Sequence, residues 1–298
     1  MNSDLRIDAH QHFWHYSREE YDWIDASMSL LQKDFLPVDL KPELDAQKIS
    51  GCLAVQARQT LEETLWLLSL AKQHPWIKGV VGWVDLRSQA LLYQLDLLSE
   101  YPSLKGFRHV LQGELDPNFM LSSDFIAGIK EIASRGYCYD ILVVQHQLPE
   151  VIKFVEALPV MPLVIDHIAK PVISCALSEA KKGSAQSKAV DPYNVAWEAW
   201  CSNMEVLSQF DHVHCKLSGM VTEAEWQTWT PEQLWPYLEK VMDCFGPERV
   251  MFGSDWPVCQ VAGRYSDVID LVESFVNARF PEHKVNIMGR NASQFYSL

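Results

Sequence analysis

Short apolar runs alternate along this chain with longer segments whose apolar residues recur at helical spacing. Eight runs carry the strand signature of β-branched and aromatic residues bounded by turn formers: Leu5–His10, Ile49–Gln56, Ile77–Val84, Leu104–Val110, Tyr139–Val144, Leu163–His167, Val213–Leu217 and Arg249–Gly253. The predicted helices between them have legible ends. Leu61–His74 stops at Pro75, Ala90–Glu100 stops before Pro102, Ser123–Arg135 runs into Gly136, and Leu148–Leu158 stops at Pro159. Pro192–Gln209 opens on a proline suited to a first turn, and Thr230 is placed to cap a helix that begins at Pro231 and ends at Phe245. Arg264–Arg279 and Pro281–Tyr296 complete the set.

Strands alternating with helices require parallel pairing through crossovers. Eight such repeats in 298 residues predict a (β/α)8 TIM barrel, with residues 1–298 as one domain. A doubly wound open sheet is the alternative, disfavoured because no Gly-x-Gly-x-x-Gly turn follows the first strand. Two stretches interrupt the alternation. Phe13 to Gln47 is a long first connection, rich in aromatics and carboxylates, that reads as rim packing or as a lid over a pocket. Ser174 to Val190, after strand six, is polar and aperiodic and reads as an exposed insertion.

Charge and cysteines narrow the partners. A net charge of −14 repels nucleic acid and anionic membranes. The cysteines number seven, an odd count without a C-x-x-C pair, which fits a reducing compartment and no disulfide framework. No secretory signal pattern opens the chain and no apolar run reaches membrane length, so a cytoplasmic protein is expected, with a homodimer left open.

The chemistry gathers at the strand ends, where a barrel places its active site. Strand one ends in His10-x-His12, whose side chains, with that of Asp8, share a face in a regular strand. Two such imidazoles can share a cation or grip one substrate oxygen, but they can equally be two separately hydrogen-bonded histidines. Strand two gives Gln56 and then Arg58, strand four Arg108-His109, strand six Asp166-His167, strand seven Lys216, and strand eight Gly253-Ser254-Asp255-Trp256-Pro257. Each has an ordinary structural explanation taken singly. Their accumulation at one end of one barrel does not.

His10-x-His12-Phe13-Trp14, Lys105-Gly106-Phe107-Arg108-His109, Asp166-His167-Ile168-Ala169-Lys170-Pro171, Lys216-Leu217-Ser218-Gly219 and Gly253-Ser254-Asp255-Trp256-Pro257 together resemble the amidohydrolase superfamily. They are most similar to its branch of small-lactone hydrolases. The resemblance implies a hydrolase that opens a cyclic ester, with His10, His12, His167 and Asp255 as metal ligands. Strand four offers Arg108-His109 where binuclear relatives carry a bridging lysine or glutamate, and strand five ends without histidine. That departure argues against two metals and leaves one zinc, or catalysis without metal, as alternatives.

In that reading Asp255 is the general base toward water. Without metal, His10, His12 and Arg108 donate to the oxyanion. His109 is the candidate proton donor to the leaving oxygen. Two arginines near strand ends, Arg58 and Arg108, are few for a dicarboxylate. Trp14, Trp83, Trp256 and Gln56 suit a polyhydroxylated ring, and Lys216 joins them as a substrate contact. The expected substrate is an aldono-lactone of a deoxy-hexose, such as L-fucono- or L-rhamnono-lactone. The alternatives are muconolactone or dicarboxylate-lactone hydrolysis, a decarboxylase or amide hydrolase of the same superfamily, and a non-catalytic carbohydrate-binding barrel.

Overall fold

The computed structural model describes residues 5–173 and 192–298, so the polar stretch after strand six lies outside the described residues. Eight strands pair in sequence order: β1 Ile7–Gln11, β2 Gly51–Val55, β3 Ile77–Gly82, β4 Leu104–His109, β5 Cys138–Ile141, β6 Leu163–Ile165, β7 Val213–Leu217 and β8 Val250–Phe252. Every neighbouring pair is parallel. The ring closes just beyond β8, where Gln11 bridges Trp256, the His12 amide donates to the Trp256 carbonyl at 2.7 Å, and the Asp255 amide donates to the His10 carbonyl at 2.8 Å. This is a TIM barrel, and the open-sheet alternative falls with the closure.

The helices are α1 Pro37–Ala46, α2 Leu61–Gln73, α3 Leu91–Leu98, α4 Ser123–Ser134, α5 Leu148–Ala157, α6 Pro192–Ser208, α7 Pro231–Phe245, α8 Tyr265–Arg279 and α9 Asn291–Phe295. Their apolar faces pack on the outer side of the strands and form the larger core. A smaller core fills the lower barrel, where Ile7, Leu53, Val55, Val81, Val164 and Met251 meet Ala292 and Tyr296 from the C-terminal segment. The end of the barrel opposite the carboxyl ends of the strands is plugged by the chain's last turn.

Three expectations need correction. The first connection contains a helix, α1, which helical periodicity did not reveal because only Pro37, Leu40 and Leu44 along it are buried and Pro42 lies within it. The segment Pro281–Tyr296 is not one helix; it breaks into a 3-10 turn Pro281–His283, a π-turn Asn286–Arg290 and α9. Asp8 and His10 do not share a face, because the β1–β2 register shifts between Asp8 and Gln11. A bulge of this kind re-aims the side chains beyond it. Asp8 therefore accepts from the Tyr265 hydroxyl on α8 at 3.1 Å, while His10 turns into the barrel toward Arg108 and Lys216.

Among the described residues no helix is long and apolar enough to cross a membrane, and the cysteines are unpaired thiols.

Within the π-turn the backbone of Gly289 packs directly on that of Leu5, and an added Cβ would lie 2.1 Å from the Leu5 carbonyl oxygen. Overpacking of that kind costs about 1–3 kcal/mol. Gly289→Ala is expected to lower the thermal unfolding midpoint by several degrees, measured by circular dichroism, because the backbone atom it meets cannot swing aside as a side chain would.

Candidate active site

The carboxyl ends of the strands surround a cavity of about 880 Å³, within the range that holds a small-molecule substrate. Its floor carries His12, Arg108, His167 and Asp255; its walls include Arg58, Lys170, Glu223 and Trp226; and the first connection contributes Glu19, Glu20, Asp22, Trp23 and Met28.

At the floor, four donor atoms converge. Asp255 Oδ1 lies 3.4 Å from His12 Nε2 and 3.8 Å from both His10 Nε2 and His167 Nε2. The Nε2 atoms of His10 and His12 are 3.1 Å apart. Their partners fix the tautomers. His12 Nδ1 donates to the Val55 carbonyl at 2.8 Å, which leaves the lone pair on Nε2. Asp166 Oδ1, 3.3 Å from His10 Nδ1, can only accept, and Arg108 Nη1, 3.2 Å from Nε2, can only donate; together they put the proton on Nδ1 and the lone pair on Nε2. Two bare imidazole nitrogens thus face each other beside a carboxylate. Burial lowers the pKa of His10, His12 and His167, keeping these rings neutral. The carboxyl of Asp255 lies below its usual range: burial works to raise it, and the ammonium of Lys170 is among the groups that lower it.

This donor set fits a divalent metal. A tetrahedral zinc with bonds of about 2.0–2.1 Å holds its ligands roughly 3.3 Å apart, close to the spacings of 3.1–3.8 Å found here. His10, His12 and Asp255 form one candidate ligand group and His10, Asp166 and His167 a second, overlapping one. Arg108 approaches the same His10 nitrogen, so a metal and the guanidinium compete for it.

Beneath the floor runs a buried ionic layer. Lys216 Nζ donates to Asp140 Oδ2 at 2.5 Å, ion-pairs with Asp166 Oδ1 at 3.0 Å and lies 3.1 Å from His10 Nδ1. Arg108 donates to Asp166 Oδ2 at 3.1 Å and to Gln56 Oε1 at 2.8 and 3.1 Å. Tyr296, at the plugged end, donates to Asp140 at 2.9–3.0 Å. Burial alone would strip Lys216 of its proton, yet Asp140 and Asp166 raise its pKa above the ordinary value. His10 is therefore held from two sides, Nδ1 by the Lys216–Asp166 pair and Nε2 by Arg108.

Local backbone places the wall residues. His167, Ile168, Ala169 and Lys170 take φ of 53, 49, 61 and 45°, four consecutive left-handed residues without a glycine. Such conformations cost roughly 1–2 kcal/mol each. Trp200 Nε1 steadies the turn by donating to the Ile168 carbonyl at 2.9 Å. Gly219, after β7, leaves the space that His167 occupies, since a Cβ there would sit 2.5 Å from His167 Nδ1.

The residues singled out from sequence separate into two groups. His10, His12, Arg108, His167 and Asp255 come together, and Arg58 reaches the cavity wall, paired with Glu20. The others lie elsewhere. Lys216 is fully buried below the floor and Gln56 is buried holding Arg108, so neither meets the cavity. Trp14 donates to the Lys33 carbonyl at 2.9 Å within the first connection, and Trp256 packs edge-on against Phe13 and Phe35. His109 has Nε2 2.7 Å from Glu114 Oε1, and its Nδ1 accepts from Trp83 Nε1 at 3.2 Å, which takes both residues out of the cavity lining. Missed from sequence were Asp140, Lys170, Glu223, Trp23 and Trp226. Two carried a signal: Asp140 is a carboxylate inside an apolar strand, which demands a buried partner, and Lys170 stands in the motif that follows strand six, though no role was read for it.

Removing Lys216 should expose how far the site depends on this layer. Lys216→Met leaves Asp140 buried without a cation and Asp166 with Arg108 alone, a change that costs about 3–5 kcal/mol. The unfolding midpoint is expected to drop far more than for an exposed-lysine control such as Lys130→Met, read by differential scanning calorimetry.

Over residues 7–298 the chain matches the Amidohydrolase family. It is 39% identical over 302 residues to an L-fucono-1,5-lactonase of Burkholderia multivorans, covering 99% of this chain and 96% of that protein. An L-fucono-1,5-lactonase of Burkholderia ambifaria is 33% identical over 301 residues, with 99% of this chain and 96% of that protein covered. The crystal structure of an amidohydrolase from Burkholderia multivorans with bound Zn superposes with a TM-score of 0.89 at 38% identity, covering 99% of both chains. With barrel and sequence agreeing along nearly its whole length, the chain belongs to the amidohydrolase family.

Proposed function

We propose that this protein hydrolyses a sugar lactone, with Asp255 as the general base and L-fucono-1,5-lactone as the substrate to test first. The observation that carries the reading is Asp255 Oδ1 within 3.4–3.8 Å of three neutral imidazoles at the floor of an open cavity. The relatives named above supply the ester chemistry. The cavity supports a neutral polyol over an anion: its lining holds six carboxylates (Glu19, Glu20, Asp22, Glu62, Glu223 and Asp255) against the three cations Arg58, Arg108 and Lys170. Carboxylates accept hydrogen bonds from hydroxyls and repel dicarboxylates. Trp23 and Trp226 provide apolar faces for the ring carbons.

In the reaction, a water beside Asp255 loses its proton to the carboxylate as its oxygen attacks the lactone carbonyl. Arg108, fixed by Gln56 and Asp166, presents its guanidinium to the side on which negative charge develops. His10, held by the layer beneath it, and His12, held by the Val55 carbonyl, turn bare Nε2 atoms toward Asp255, so donation to the oxyanion falls to Arg108 rather than to the two imidazoles. A zinc bound by His10, His12, His167 and Asp255 would supply carbonyl polarisation and a more acidic water.

A panel of aldono-lactones, muconolactone and a pyrone dicarboxylate, followed by acid release with a pH indicator, tests the reading. Ring opening is expected with deoxy-hexonolactones and not with dicarboxylates; the reverse preference contradicts it. Asp255→Asn should lower kcat by about 10²–10⁴-fold, the scale of general-base catalysis.

A further inference from the structure

We propose that Lys170 donates the proton to the ring oxygen as the lactone opens, with Glu223 as its positioning residue; this rests on the lactonase reading above. The departing alkoxide needs an acid on the cavity surface, and His109 is spoken for on both ring nitrogens. Other candidates in the lining are engaged. Arg58 is paired with Glu20 at the mouth, and Arg108 is a guanidinium, which does not give up its proton. His12 donates its one proton to the Val55 carbonyl and turns a bare nitrogen to the floor.

Lys170 differs from all of these. It ends the left-handed turn that begins at His167, and the Lys170 amide closes that turn on the His167 carbonyl at 2.8 Å. Four strained residues in succession are a conformation that folding alone does not favour, and such strain gathers where a side chain must be aimed. The turn delivers His167 to the floor and Lys170 to the wall of the same cavity. Across the cavity wall, Glu223 Oε1 stands 3.7 Å from Lys170 Nζ, near enough to orient the ammonium and too far to hold its hydrogens in a contact pair. Both side chains keep some solvent access, at 20% and 26% exposure, so the lysine can be reprotonated between turnovers.

The proton and electron account closes. Water forms a C–O bond to the carbonyl carbon and gives its proton to Asp255, while the carbonyl π pair moves onto oxygen. When that pair returns, the bond from the carbonyl carbon to the ring oxygen breaks, its electrons pass to the ring oxygen, and Lys170 Nζ supplies the proton. Solvent reprotonates the amine, Asp255 releases its proton to solvent, and the product leaves as a hydroxy acid that ionises in water.

Steady-state kinetics of Lys170→Ala on the best lactone of the panel tests this. A kcat loss of about 10²–10⁴-fold is expected, with KM changed by less than about threefold. Added ethylammonium should restore kcat in proportion to its concentration, and Lys170→Arg should stay slow because its guanidinium keeps its proton. Glu223→Gln should show a smaller kcat loss without amine rescue, since its donor is still present. A loss confined to KM, an undiminished kcat, or a folded Lys170→Ala that no amine restores would overturn the proposal. Should Lys170→Ala not fold, Lys170→Gln takes its place under the same criteria. A wild-type protein inert toward every lactone sinks the underlying reading, an outcome separate from any of these.

Discussion

The Lys216 ammonium is sealed between Asp140 and Asp166 below the cavity floor, and much of the site depends on it. A charge so deep in a barrel is tolerated only when oppositely charged, hydrogen-bonded groups surround it. Here that requirement ties four strands together: Asp140 on β5, Asp166 just after β6, Lys216 on β7 and His10 on β1. Tyr296 extends the layer to the plugged end of the barrel. The same contacts orient the His10 ring, with Nδ1 toward the layer and Nε2 toward His12 and Asp255, so an arrangement that stabilises the barrel also orders the cavity floor.

Closure of the barrel does the second part. The hydrogen bonds from His12 to Trp256 and from Asp255 to His10 run between the chain's beginning and a segment some 240 residues later. They fix the imidazoles and the carboxylate relative to one another through backbone rather than through flexible side chains. Asp255 itself has φ of 57°, and the His167–Lys170 turn is left-handed throughout. Left-handed backbone is concentrated after β6 and β8, the two places from which His167, Lys170 and Asp255 reach the cavity.

Much of this was legible in the sequence because the two periodicities that specify a barrel are themselves visible there. The strand-end motifs containing His10, His12, Arg108, His167 and Asp255 could be read because chemistry in this fold lies at one end. Depth could not. A residue at an inward position of a strand can line the cavity, as Arg108 does, or lie beneath it, as Lys216 does, and alternation is the same in both cases. Tryptophan placement was hidden for a related reason. Trp14 and Trp256 bury their rings against Phe13, Phe35 and Tyr21, whereas Trp23 and Trp226, in stretches without periodicity, reach the cavity. The bulge that parts Asp8 from His10 is set by pairing with β2 and leaves no mark on the local pattern.

These pieces form one physical account, in which a buried ionic layer and a backbone closure hold neutral imidazoles and an ionised carboxylate around one reacting carbonyl. Turnover of a sugar lactone in ¹⁸O-labelled water, with the product's carbon resonances read by NMR, tests it most directly. The account predicts one ¹⁸O atom in the carboxyl group and an unlabelled ring-derived hydroxyl. Label at the hydroxyl carbon, which requires attack away from the carbonyl, would contradict it.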